Sequence, residues 1–420
     1  MLTNTYLPHV GGVARSVTAF AIEYQRRGHR VLIVAPDFDK HSAPEPGVIR
    51  VPAIERFNGS DFSAALPLTG LLTDALDRFE PDIVHSHHPF LLGMTALRVA
   101  RYRDLPLVYT NHTRFEQYTH YVPANSPTLK RFVVKLVTRY TNLCDQVFAP
   151  SDSIAALMRE RGTLVPIEVV PTGVSLTQFT EGDGVGFRKA LGIPERAFVV
   201  GHLGRLAPEK NLEFLARAVA AYLLSNDNAH FLLVGNGPSE SLVRRIFQSH
   251  DLTDRLHKAG VLSSTELADA YHAMDSFAFS SKSETQGMVL VEAMAAGVPV
   301  VGLSAPGVKE VVRNLQNGLL VETESITAFA AALSWIEKLP PERKQTVSTN
   351  ARNTAESFSI SRCATRALHS YERLLTTHTL NAETNTQTQK IRNLLKTEWS
   401  ILKGIAQATG GALTDSTEYQ

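Results

Sequence analysis

The chain has 420 residues, more than one hydrophobic core of ordinary size can organise, so two domains are expected. With 44% hydrophobic and 20% charged residues, it has the composition of a soluble globular protein, not a disordered or fibrous one. The 42 Lys and Arg nearly cancel the 41 Asp and Glu, and a formal net charge of +1 gives no reason to expect nucleic acid as a partner.

The N-terminus reads as a strand cut short, since Met1-Leu2-Thr3-Asn4 leads directly into Tyr6-Leu7-Pro8. A true start codon upstream is the expected explanation. No signal peptide is recognisable, and no stretch approaches the roughly 20 apolar residues that a membrane span needs. A helix follows from Val13 to Arg27, closed by Gly28, and another runs from Leu91 to Tyr102. Strand-like runs lie at Val31–Ala35, Asp82–His85, Leu107–Thr110 and Gln146–Pro150. The same alternation restarts at Phe198–Gly201 and continues through Phe231–Val234, Ser276–Phe279 and Val298–Val301. Apolar strands alternating with helices indicate parallel sheets joined by crossover helices. Cys144 and Cys363, the two cysteines, cannot frame a disulfide scaffold and read as buried small hydrophobes in a reducing compartment.

The restart sets the domain boundaries. Residues 1–172 form the first domain. The glycine-rich segment 173–194 connects it to the second, 195–355. A helix over 356–375 returns to the first domain, and 376–420 is a polar appendage with one short helix around Ile391 to Ile405.

Four segments carry chemistry. Pro8-His9-Val10-Gly11-Gly12-Val13 opens the first helix, where paired glycines let backbone N–H groups approach an anion; a ligand-free tight turn is the alternative. Gly204-Arg205-Leu206-Ala207-Pro208-Glu209-Lys210-Asn211 follows the first strand of the second half. It puts a guanidinium fork and an ammonium at the sheet end where open α/β folds bind ligands, a pairing suited to a diphosphate; a solvated basic turn is the alternative. Ser283-Glu284-Thr285-Gln286-Gly287-Met288-Val289-Leu290-Val291-Glu292-Ala293 places two glutamates around a loop that becomes a helix. A carboxylate accepts two hydroxyl hydrogen bonds and suits a vicinal diol, and a Glu among Val, Leu, Ala and Met needs a partner. Tyr109-Thr110-Asn111-His112-Thr113 ends a strand of the first half, where His112 is either a site residue or a turn histidine.

This combination resembles glycosyltransferase family 4, over about residues 1–375. The resemblance implies the α/β GT-B fold, two Rossmann-like doubly wound parallel-sheet domains facing across a cleft. It also implies transfer of a hexosyl group from a nucleoside diphosphate sugar with retention of anomeric configuration. On this basis Arg205 and Lys210 bind the diphosphate, Gly11 and Gly12 approach the phosphates, and Glu292 holds the ribose. Glu284 holds the sugar hydroxyls, helped by backbone N–H groups around Gln286 and Gly287. Gly237 borders the nucleotide, and His112 orients and stabilises charge beside the donor sugar. The catalytic residues implied are His112 and Glu284. No metal or other cofactor is implied, because Arg205, Lys210 and the helix end take that role.

Other motifs are weaker. Val234-Gly235-Asn236-Gly237-Pro238 begins like a dinucleotide fingerprint, but Glu240 replaces its third glycine, so NAD is not expected. Asp37-Phe38-Asp39 closes a strand and reads as a turn. His85-Ser86-His87-His88 lacks an accompanying carboxylate or Cys cluster, which disfavours a metal and favours an acceptor-side role for one histidine. Thr113-Arg114-Phe115-Glu116-Gln117-Tyr118-Thr119-His120-Tyr121 resembles the family's lipid-glycosylating branch, including diacylglycerol glucosyltransferases. Lys130, Arg131, Lys135 and Arg139 then share one face of an amphipathic stretch, opposite Phe132, Val133, Leu136, Val137 and Tyr140. Such a helix suits an anionic membrane surface; a solvated basic face is the alternative. The expected acceptor is a membrane lipid or a saccharide, and the expected location is the cytoplasm at the inner face of the cell membrane. The competing readings are a nucleotide-sugar epimerase, separable by product analysis without acceptor, and a non-catalytic sugar-nucleotide-binding subunit.

Overall fold

The computed structural model describes residues 1–8, 11–37, 45–54, 64–65, 72–114, 116, 126–282 and 284–381, together with 396, 398, 399 and 403. The chain divides into two compact units, Met1–Pro171 with Cys363–Gln420, and Thr172–Arg362.

The N-terminal unit contains strands β1 (Ile33–Pro36), β2 (Val48–Val51), β3 (Ala53–Ile54), β4 (Ala64–Ala65), β5 (Val84–Ser86), β6 (Leu107–Thr110), β7 (Gln146–Ala149) and β8 (Ile167–Val169). Its helices are α1 (Gly12–Arg26), α2 (Thr73–Phe79), α3 (Leu92–Arg103), α4 (Pro127–Thr141) and α5 (Asp152–Glu160). Strands β5 to β8 lie side by side in chain order, all parallel, and β1 pairs with β2 in parallel. The short first strand expected from the sequence is reduced to one pairing residue: Leu2 bridges Val34 of β1 and Ser86 of β5. Its N–H donates to His85 O at 2.8 Å, and His87 N–H donates to Leu2 O at 2.9 Å.

Every residue of β6 and β7 is buried, as a sheet covered on both faces requires. Tyr109, Val147 and Ala149 pack with Ala96 and Ala100 of α3 and Ile154 of α5. On the opposite side, Val17 and Ala21 of α1 pack on Ile33 and Ala35 of β1.

The C-terminal unit contains β9 (Phe198–Leu203), β10 (Ala229–Val234), β11 (Leu256–Gly260), β12 (Ser276–Phe279), β13 (Val300–Leu303) and β14 (Gly318–Val321). Its helices are α6 (Gly184–Ala190), α7 (Leu212–Leu224), α8 (Glu240–Gln248), α9 (Ser264–His272), α10 (Met288–Ala295), α11 (Pro306–Lys309), α12 (Ile326–Glu337) and α13 (Pro341–Ser357). The spatial order is β11-β10-β9-β12-β13-β14, with parallel pairing throughout. Side chains alternate between two cores. Val199, Leu203, Phe277 and Phe279 join α9, α10 and α13, whereas Phe198, Val200, Phe231 and Val301 join α7, α8 and α12. This is the doubly wound arrangement, with the chain reversing direction across the sheet between β9 and β12.

The glycine-rich segment expected as a connection is folded onto the C-terminal unit. A Cβ at Gly184 would lie 2.3 Å from His272 O, and one at Gly182 would lie 2.7 Å from His272 Cδ2. Arg188 of α6 donates to Ala273 O and to Asp275, both at 2.9 Å. These glycines permit close packing on α9. The expected return helix is α14 (Ile360–Asn381), whose residues from Cys363 onward belong to the N-terminal unit. There Tyr371 stacks on Phe148 of β7 with ring centroids 5.5 Å apart. Both cysteines are buried and unpaired.

Candidate active site

In the C-terminal unit the candidate residues gather at the C-terminal ends of β9 and β12, the two strands flanking the reversal. After β9 the chain turns through Gly204 and Arg205 into a single 3-10 turn, Pro208–Lys210. Proline at its first position fixes the backbone without sacrificing a needed N–H. Lys210 Nζ donates to Glu284 Oε2 at 3.0 Å, with both side chains one-fifth exposed. Residues 74 positions apart are thereby joined at the sheet edge. Arg205 is more open, with 46% side-chain exposure, and pairs with Glu209.

Backbone contacts hold these side chains in place. Ser280 Oγ donates to Lys210 O at 2.9 Å, and Ser281 Oγ donates to Glu209 O at 3.3 Å. Two serines immediately after β12 therefore anchor the cationic turn after β9. The Gly235-Asn236-Gly237 turn closes on the same loop, with Leu206 N–H donating to Asn236 O at 2.9 Å. A Cβ at Gly237 would meet Leu206 O at 2.3 Å, so this glycine supports the loop that carries Arg205. Glu240 opens α8 and its carboxylate pairs with Lys258 at 2.7 Å.

Gly287 is the N-cap of α10, with φ of 79° in the left-handed region. A Cβ there would lie 2.7 Å from Leu290 Cδ1, so both the backbone and the space select glycine. The helix begins with its first-turn N–H groups beside the Glu284 loop and with no acidic residue in that turn. Gln286 is buried, and its amide clasps the backbone of Thr172: Oε1 accepts from Thr172 N–H at 2.5 Å and Nε2 donates to Thr172 O at 2.7 Å. Glu292 is wholly buried in the second turn, where Oε2 accepts from the Tyr271 hydroxyl of α9 at 2.8 Å. A ribose hydroxyl would have to share this carboxylate with Tyr271.

In the N-terminal unit, α1 starts at Gly12 from the extended N-cap Gly11. Among the described residues no side chain caps this helix, and an added Cβ at Gly12 meets nothing within 4 Å. The fold itself therefore does not demand glycine at position 12. His112 follows β6, partly buried, and burial of its ring lowers its pKa to about 4. It is accordingly a neutral imidazole at neutral pH. His87 Nδ1 lies 2.9 Å from His112 Nε2. His85 uses both ring nitrogens, with Tyr371 Oη at 2.5 Å and Thr110 Oγ1 at 2.7 Å. His88 Nδ1 accepts from Asn4 N–H at 3.1 Å. The His85-Ser86-His87-His88 run is thus a hydrogen-bonded buried cluster, and among the described residues no three His, Cys, Asp or Glu are placed to hold a metal ion. Residues 9–10, 38–39, 115, 117–121 and 283, which belong to the motifs above, lie outside the described residues.

The amphipathic stretch is α4, capped by Ser126, which accepts from Leu129 N–H at 3.1 Å. Of its expected apolar face, Tyr140 is buried and donates to Gly93 O at 3.0 Å. Phe132, Val133, Leu136 and Val137 are only half-buried, with Lys130 exposed beside them. Among the described residues no helix is long and apolar enough to cross a membrane.

Sequence reasoning did not reach Ser280, Ser281, Tyr271 or Thr172. Each touches a motif residue from a distant part of the chain, and no local pattern announces that contact.

The comparisons with known proteins fall on these same segments. The family described as Glycosyltransferase Family 4 matches residues 10–178, and that described as Glycosyl transferases group 1 matches residues 186–354. An alpha-monoglucosyldiacylglycerol synthase from Streptococcus pneumoniae is 28% identical over 365 residues, covering 85% of this chain and 82% of that protein. A D-inositol 3-phosphate glycosyltransferase from Rhodococcus opacus is 31% identical over 392 residues, covering 86% and 85%. A sucrose-phosphate synthase structure from Thermosynechococcus elongatus superposes with a TM-score of 0.73 at 22% identity, covering 90% of this chain and 99% of that one; it attests the fold.

Proposed function

The chain belongs to glycosyltransferase family 4 and is a glycosyltransferase, and from that premise we propose that it moves a hexosyl unit from a nucleoside diphosphate sugar to a lipid hydroxyl with retention. The observation carrying this reading is the Lys210–Glu284 pair at the strand ends beside the reversal of the sheet. A cation and a carboxylate held 3.0 Å apart suit the junction of a sugar diphosphate, where anionic phosphate meets sugar hydroxyls.

In this mechanism Arg205 and Lys210 stabilise the charge that grows on the departing diphosphate, assisted by the positive end of α10 and the backbone N–H groups of Gln286 and Gly287. Glu284 orients the transferred sugar through its hydroxyls, and Glu292 shares its carboxylate between Tyr271 and the ribose. Gly11 and Gly12 offer uncapped backbone N–H groups to phosphate oxygens. His112 is neutral and orients the donor sugar without carrying charge. No step requires a metal ion or a redox cofactor.

The acceptor is read from α4. Its half-buried Phe132, Val133, Leu136 and Val137 beside Lys130, Arg131, Lys135 and Arg139 form a surface for shallow insertion into anionic lipid. Each such cation contributes about 1 kcal/mol near the membrane. The S. pneumoniae relative, whose name specifies a glucosylated diacylglycerol, supports diacylglycerol as the first acceptor to test. The location that follows is the cytoplasmic face of the membrane. The test is a screen of nucleotide sugars by calorimetry, then transfer assays with diacylglycerol in anionic vesicles and with soluble acceptors. Incorporation into lipid, enhanced by anionic vesicles and weakened by replacing the four α4 cations, is expected. Transfer only to a soluble acceptor would overturn the lipid assignment, and sugar interconversion without any acceptor would overturn the transferase mechanism.

A further inference from the structure

We propose that His87 is a positioning residue for His112, donating from Nδ1–H to His112 Nε2 and so fixing His112 as the tautomer that bears its proton on Nδ1. This rests on the reading of His112 as an active-site residue.

The two nitrogens are 2.9 Å apart, so one of them must be the donor. His87 is 2% exposed, and its other nitrogen, Nε2, is buried with no hydrogen-bond partner among the described residues. If His112 were the donor, a neutral His87 would carry its own proton on Nε2, leaving a buried N–H without an acceptor. A buried bare lone pair is the less costly of the two arrangements, because orphaned N–H donors are the rarer and more heavily penalised defect. Protonating both nitrogens of His87 is disfavoured as well, since burial and the neighbouring imidazoles oppose a charge on it. The proton therefore sits on Nδ1 of His87 and points at His112.

The ring of His87 cannot readily turn away from this task. It stacks on His85 with centroids 4.2 Å apart, and on His112 at 5.2 Å. His85 is itself pinned by Tyr371 of α14 and by Thr110 at the end of β6. Backbone hydrogen bonds then fix the segment, with His87 N–H donating to Leu2 O at 2.9 Å. A chain of buried contacts thus runs from α14 through β5 and β6 to His112. Its chemical consequence is specific. With Nε2 occupied as an acceptor, the one proton of neutral His112 is on Nδ1, so the ring acts as a hydrogen-bond donor and not as a proton acceptor.

The experiment uses the full chain labelled with 15N-histidine at neutral pH, with the His112 signals assigned by their loss in His112→Asn. An unprotonated Nε2 and a protonated Nδ1 on His112 are expected; the reverse tautomer would overturn the proposal. Kinetics supply the second arm. His87→Leu should lower kcat about tenfold, the equivalent of one neutral hydrogen bond, while the donor KM stays within about twofold. His87→Asn, whose side-chain amide stands where Nδ1–H stood, should recover most of the loss. Full kcat in His87→Leu, or no recovery in a folded His87→Asn, would also sink it. Should His87→Leu fail to fold, the tautomer measurement and His87→Asn still decide. Full turnover in His112→Ala would instead remove His112 from the active site, an outcome the tautomer measurement does not mimic.

Discussion

The two units hold their candidate polar groups by opposite means. In the N-terminal unit the candidate residue His112 belongs to a histidine cluster held neutral: burial pushes His85 and His87 well below 6.5, His88 to about 3 and His112 to about 4. In the C-terminal unit the candidate residues are charged and matched, Lys210 with Glu284 and Arg205 with Glu209. The glycine turns differ in the same way. Gly287 is dictated by its own fold through a left-handed backbone and a 2.7 Å contact, whereas Gly12 has open space where a Cβ would stand. Under the proposed function, the paired charges of one unit serve a charged diphosphate and the sugar hydroxyls, and the neutral imidazoles of the other add hydrogen bonds without adding charge.

The largest expected effect tests the charged half. Lys210→Ala and Glu284→Ala should each lower kcat at least about a hundredfold, the scale of losing one preorganised electrostatic contact. Both side chains are partly solvated, so the melting temperature should change little. The double variant should be far less than multiplicative, because the two act as one unit. Near-normal turnover in both single variants would break the assignment.

Acid should distinguish the halves next. A histidine whose pKa falls from 6.5 on folding binds its proton more readily in the unfolded chain, so its contribution to stability is full above about 6.5 and declines as pH falls toward 4. The N-terminal unit concentrates four such groups around one sheet end, whereas the other holds His202 and the hydrogen-bonded pair His230 and His257. Hydrogen exchange at pH 7 and pH 5 should show N-terminal peptides losing protection first. Equal loss in both units would remove the contrast.

Gln286→Ala probes support of the charged half. It deletes both hydrogen bonds to Thr172 and should cost about 1–3 kcal/mol in unfolding free energy, with a smaller loss of kcat. Unchanged denaturant stability would show that the clasp is dispensable. The smallest effect concerns the two glycines. Gly287→Ala should destabilise by about 1 kcal/mol or more. Gly12→Ala should leave stability unchanged and weaken donor binding a few-fold by calorimetry, consistent with a glycine kept for its ligand; equal destabilisation by both would contradict that distinction.

Much of the fold was legible because buried parallel strands announce themselves as apolar runs. Leu107–Thr110 and Ser276–Phe279 were found residue for residue, and Phe231–Val234 lies within β10. No strand is expected from the sequence at β2, β3, β4, β8, β11 or β14; of these, β8 and β11 are half-buried and carry Glu168, His257 and Lys258, so no apolar run marks them. The glycines of 173–194 predict a connection, and in the structure Gly182 and Gly184 also let the chain pack closely on α9.

For the site, the sequence determined which residues carry charge and where each falls along the alternation of strands and helices, because strand ends and helix starts are set by local pattern. It could not determine partnership. That Lys210 meets Glu284, that Ser280 anchors the loop of Lys210, that Glu292 is satisfied by Tyr271 and that His87 faces His112 all depend on which strands become neighbours. The order of strands in a sheet is fixed by the packing of whole helices on both its faces, a property of the folded units that no local stretch of sequence contains.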